Sequence, residues 1–347
     1  MFSHMTARWV GVALAALAAS WHSTTMAGEP KYRLKDFSAK IYDVQTVIGD
    51  ASNLPGFFSI EETRGDWVLV RMTSGKAGWM QKANLESLDD ALASATRLIK
   101  EDDQNVLAYW ERARLTVERD GDAGIDAALA DYNTILKIRP AAPLTLLARG
   151  TIYQFRGELD KALADFDRLL ELDERFVPAL LGRAQVFTDQ QKWDAALADL
   201  DQAERILPAP SAEVSFLRGT IGVSREEWRK ALADFQAALK AEPTHVKSLI
   251  GRAFVLCAAP TDEVRQGKEA LASATKACEL TRWKDPGALQ VLAAAQAELG
   301  QFEEARKLQQ QAMEIMLPDK ATKKPALHEA VDRLNLYKNN QPYRAVK

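Results

Sequence analysis

The chain has 347 residues, 47% hydrophobic and 27% charged, with a formal net charge of −3. That length gives room for two or three compact domains or for one long array. The mildly acidic balance supplies no basic field, so nothing in the composition favours nucleic acid as a partner.

In chain order, Arg8 is the only charged side chain before Glu29, and the apolar run WVGVALAALAASW comes directly after it. A charged start, an apolar stretch and small residues at Thr25 and Ala27 predict a signal peptide over 1–27, cleaved near Ala27, and hence an exported protein, periplasmic or secreted. A retained anchor is the alternative. The run falls short of the roughly 20 apolar residues a bilayer span needs, so no membrane span is expected in the mature chain.

Residues 31–84 carry KIYDV, GFFSIEE, DWVLVRM and AGWMQ, short alternating segments rich in aromatic and β-branched residues, with RGD and SGK as turns. Strands this short and close predict a small β-barrel. Gly65, Asp66 and Trp67, with Gly78 and Trp79, resemble the bacterial SH3-like domain. The resemblance implies an SH3-like β-barrel with Trp67 and Trp79 in its core or rim, or on a ligand surface. LDDALASATRL then reads as an amphipathic helix within 86–104, an N-terminal capping helix.

The words ALADY, ALADF, ALADL and ALADF recur from Ala128, Ala162, Ala196 and Ala231, with looser copies at Ala91, Ala270 and Ala305. Small residues at Gly150, Ala184, Gly219 and Ala293 precede their markers at a fixed distance, with Ala253 displaced by a longer turn. Large apolar residues come after the markers at Tyr132, Phe166, Leu200 and Phe235. Small residues let two helices approach, the large one fills the space beside them, and Pro140, Pro208 and Pro243 stop the second helix. Arg112, Arg149, Arg183, Arg218 and Arg252 form a parallel ladder with Asp131, Asp165, Asp199 and Asp234, read as repeated ion pairs. A basic stripe for an anionic ligand is the alternative.

This pattern resembles the tetratricopeptide-repeat (TPR) family over about six units in 106–318, the fifth irregular because CAAPTDEVRQGKEA lengthens its turn. The expected fold class is mainly α, a right-handed α-solenoid of TPR helix pairs preceded by the SH3-like β-barrel. Residues 325–338 are expected to cap the array, and 339–347 to form a loose tail. Cys257 and Cys278 fall near opposite ends of neighbouring antiparallel helices and are expected as buried thiols.

The family resemblance places Trp110, Arg114, Thr151, Gln154, Phe155, Gln185, Thr188, Thr220, Val223 and Phe254 on the concave face of the first helices. Packing on the next repeat is an equal alternative for Phe155 and Phe254. A Lys and Asn carboxylate clamp is not matched, since Leu147 and Thr151 hold such places. His4, His22, His245 and His328 show no metal-ligand spacing, and no phosphate loop, nucleophile elbow or CxxC occurs. The expectation is a non-catalytic adaptor with no cofactor, binding an unknown protein or peptide. Cell-wall material held by the SH3-like part is the alternative, and a hidden enzyme or self-assembly are lesser ones.

Overall fold

The computed structural model describes residues 31–34, 40–43, 46–50, 58–59, 61–71, 77–317 and 324–345. The expected signal peptide over 1–27 lies outside the described residues. Among the described residues the chain divides into two compact units, one within 31–149 and one within 150–345.

The first unit begins with strands β1 (Lys31–Leu34), β2 (Lys40–Asp43), β3 (Thr46–Asp50), β4 (Phe58–Ser59), β5 (Glu62–Arg64), β6 (Trp67–Arg71), β7 (Ala77–Gln81) and β8 (Leu85–Ser87). They form two separate antiparallel sheets, ordered β4-β1-β8 and β3-β2-β7-β6-β5. This corrects the SH3-like β-barrel. Among the described residues β3 and β5 remain the two edges of an open five-stranded sheet, and β1 pairs in the other sheet. Alternation explains why the strands themselves were legible: Val68, Val70 and Met80 are fully buried on one face. Trp67 and Trp79 take the opposite parity, so neither side chain belongs with that buried set.

Helix α1 (Leu88–Glu101) starts where the Ser87 hydroxyl accepts from the Asp90 N–H at 3.1 Å. Its Leu88, Ala91 and Leu92 pack with Leu115 of α2 (Val106–Asp120). Helix α3 (Ile125–Ile138) pairs with α2, and α4 (Pro143–Arg156) follows it in the chain.

In the second unit the chain continues through α5 (Leu159–Leu172), α6 (Val177–Asp189), α7 (Trp193–Ile206), α8 (Ala212–Ser224), α9 (Trp228–Ala241), α10 (Val246–Ala258) and α11 (Gly267–Leu280). It ends with α12 (Pro286–Glu298), α13 (Phe302–Met316) and α14 (Lys324–Lys338). Consecutive helices pack as hairpins, α6 on α7, α8 on α9, α10 on α11 and α12 on α13. Ala162, Ala196, Ala231, Ala270 and Ala305 are all fully buried.

The close approach goes further than the small residues seen in the sequence. Phe166 of α5 lies between Gly150 of α4 and Gly182 of α6; a Cβ added at Gly182 would sit 2.6 Å from its Cζ. Phe235 of α9 is held likewise between Gly219 of α8 and Gly251 of α10, each with a Cβ distance of 2.7 Å. Glycine inside a helix costs about 1 kcal/mol against alanine. Here that cost gives an aromatic ring its slot. Where the second helix carries the smaller Leu200, the corresponding first-helix position holds Phe216, and both lie in the same buried core. Volume is exchanged across the hairpins position by position.

Four hairpin turns of the second unit carry a left-handed residue, Gly157 and Gly300 in two of them and Gln191 and Glu226 in the others. Helix α14 covers the last hairpin: Ala326 and Ala330 pack on Met316, and Gln309 donates to the Ala330 carbonyl at 3.0 Å.

Gly182→Ala should destabilise the chain by about 1–3 kcal/mol through overpacking against Phe166. In a Phe166→Leu background the same change should cost less, with a coupling energy of about 0.5–3 kcal/mol in denaturant titrations. Strict additivity would remove the proposed slot.

Candidate protein-binding surface

The ion-pair ladder is paired internally, but its partners change along the chain. Arg112 grips Asp131 with two hydrogen bonds of 2.9 and 2.6 Å, and Arg183 grips Asp199 with two of 2.8 Å. Arg149 donates to Asn133 at 2.7 Å. Arg183 also reaches back to Asp167 of α5 at 2.7 Å, tying one hairpin to the next. Arg218 departs from the expected pairing. It turns to Asp201 and Glu204 of α7 at 2.6 and 2.7 Å. Asp234 is left with a buried Oδ2 lacking a hydrogen-bond partner, and burial raises its pKa above the ordinary carboxylate value. Arg252 meets Ser273, the residue standing where the other copies have aspartate, and Glu269. These guanidinium groups already have partners, so the ladder reads as a tie between helices rather than an anion stripe.

The sequence-predicted contact residues fall into different surroundings. In the first unit, Arg114 lies over the Trp110 ring at 5.9 Å and pairs with Glu111 at 3.1 Å. Trp79 is half-buried beneath Arg64, whose guanidinium sits 4.8 Å from its ring, and Trp67 is 37% exposed.

In the second unit, Thr188, Thr220 and Val223 are buried, and the Thr188 hydroxyl donates to the Ala184 carbonyl at 2.8 Å. Phe254 is also buried, with Trp228 and Tyr343 each 6.4 Å from its ring. Thr151 is exposed and Phe155 half-buried. Gln154 of α4 and Gln185 of α6 are brought together by a residue sequence reasoning missed. Both donate to Asp189, at 3.4 and 3.3 Å, while Gln185 Oε1 has no hydrogen-bond partner despite its burial. Gln185 and Asp189 stand four apart on one helix, a spacing that could have marked them as one face.

Among the described residues no group of three His, Cys, Asp or Glu side chains could hold a metal ion. Cys257 and Cys278 are buried free thiols, and burial raises the pKa of both to about 12. Among the described residues no helix is long and apolar enough to cross a membrane.

Residues 147–209 match the family model for the tetratricopeptide repeat. No curated protein matches the chain. Among solved structures, yeast Tom70 is 17% identical with a TM-score of 0.53, covering 73% of this chain and 59% of its own. A tetratricopeptide repeat protein from Parabacteroides merdae is also 17% identical with a TM-score of 0.53, covering 73% and 93%. The APC/C hetero-tetramer Cut9–Hcn1 is 18% identical with a TM-score of 0.54, covering 72% of this chain and 47% of the matched one. The chain thus spans less than two thirds of the Tom70 and Cut9–Hcn1 structures it resembles.

These likenesses show a mainly helical, TPR-like solenoid fold. They give no support to an SH3-like domain, a secretory signal or a bacterial source, and the SH3-like β-barrel is withdrawn. The fold is consistent with a scaffold for protein–protein interaction in general.

A thiol reagent should leave both cysteines unmodified at pH 8 in the native chain and label both in denaturant. Rapid labelling of the native chain would contradict their burial.

Proposed function

We propose that the chain is a scaffold holding an extended peptide or an exposed helix of another protein on the first helices of its hairpins. The observation that carries this reading is the cluster of Gln154, Gln185 and Asp189. Three polar side chains from two successive first helices converge beside half-buried Phe155 and exposed Thr151. One buried acceptor, Gln185 Oε1, is unused. A buried acceptor without a partner costs about 1–3 kcal/mol, which a ligand N–H would recover once the Gln185 side chain turns outward. Carboxylate and amide oxygens accept backbone N–H groups, and an aromatic beside them offers a side-chain contact, the usual combination in peptide recognition.

A photo-crosslinker replacing Phe155 should capture a partner protein that one replacing Arg168, exposed on second helix α5, does not. Gln185→Ala should reduce the capture at least about tenfold while leaving the melting temperature within a few degrees, as loss of one hydrogen bond of roughly 1.4 kcal/mol implies. Equal capture at both positions would overturn the reading.

A further inference from the structure

The chain reverses at Asn340, whose φ of 54° is left-handed, and the Gln341 N–H returns to the Leu336 carbonyl at 2.9 Å. The residues after it are not the loose tail expected from NNQPYRAVK. Ala345 is buried, and its N–H donates to the carbonyl of Ala258, the last residue of first helix α10, at 2.8 Å. Arg344 donates to the Cys257 carbonyl at 3.3 Å and pairs with Glu298, at the end of first helix α12, at 2.6 Å. The Tyr343 ring lies 6.4 Å from Phe254, with the Arg333 guanidinium 4.1 Å from its own centre. One backbone bond, one charged pair and one aromatic seat are the contacts by which an extended peptide is recognised.

The seat does not depend on the tail for its charge balance. Glu298 is 14% exposed and also receives Arg265 at 3.1 Å. Arg265 comes from the long α10–α11 turn, where it donates to the carbonyls of Ala259 and Pro260 at 2.9 and 3.2 Å. A buried carboxylate stripped of its only cation would be strongly unfavourable. Here Arg265 stays when Arg344 leaves. The irregular turn of the fifth hairpin therefore builds half of the seat. Arg344 remains 33% exposed and Tyr343 is half-buried, and release would uncover the surface they cover on Phe254 and Arg333 together with Ala345. A short segment held by few backbone hydrogen bonds opens locally, without global unfolding.

We propose that Pro342–Ala345 is a tethered ligand occupying a peptide site across the ends of α10 and α12, and that a partner segment of aromatic–arginine–small sequence takes the same seat when the tail is displaced. This rests on the reading of the first helices as the binding face and gives one part of that face a ligand chemistry. It also makes the site self-blocked, because a short tether supplies an effective concentration of order millimolar.

The test uses a fluorescent peptide of sequence NNQPYRAVK, blocked at both ends, with binding followed by polarisation. The chain lacking residues 341–347 should bind it saturably, and the full chain at least about tenfold more weakly because the tether competes. A peptide carrying Arg344→Glu should not bind. A deleted chain that keeps its helical circular dichroism yet ignores the peptide overturns the proposal, as does equal binding of the Glu peptide. If the deletion unfolds, the full-length Arg344→Glu variant replaces it: binding of the unmodified peptide supports the proposal, and its absence from the folded variant overturns it. Peptide binding without capture at Phe155 would sink the broader reading and keep this site. Capture at Phe155 with no peptide binding would do the reverse.

Discussion

An aromatic ring held between two helical glycines is the contact on which the hairpin array depends. Phe166 and Phe235 each project from a second helix into a space that exists only because the first helices before and after lack a Cβ. The contact acts in two directions at once: it closes a hairpin and it docks the next one. Its geometry brings successive first helices alongside each other. That adjacency lets Gln154 and Gln185 share Asp189, and lets one short segment touch both α10 and α12.

Much of the packing was legible because it repeats. The alanine markers were visible as words, and each of those in the second unit is fully buried. Half of each ring's slot was visible in Gly150 and Gly219. The other half, Gly182 and Gly251, stands one place before the ladder arginines of the next copy. Spacing within one hairpin does not reveal it, because the ring it accommodates belongs to the hairpin before. The ladder shows the same limit. A guanidinium reaches several carboxylates, so position alone could not say that Arg218 would choose Asp201 and Glu204 over Asp234.

The amino-terminal strands mark a different boundary. Alternation finds strands and their buried face, as Val68, Val70 and Met80 illustrate, because it reports on one chain segment at a time. Whether a sheet closes depends on which strands pair at its edges, and two short glycine–tryptophan words carry none of that information. The tail was misread for a related reason. Polar composition suggested solvent, but Arg344 is complementary in charge to the carbonyl end of α10 and to the Glu298 carboxylate, and the long turn that supplies Arg265 prepares the place.

The central claim is the proposed one, that the first helices carry the binding face. Amide hydrogen exchange, recorded on the chain alone and with the protein captured at Phe155, tests it most directly. The account predicts slowed exchange in residues 150–156 and 183–190, with residues 159–172 and 193–206 unchanged. Protection confined to the second helices would contradict it.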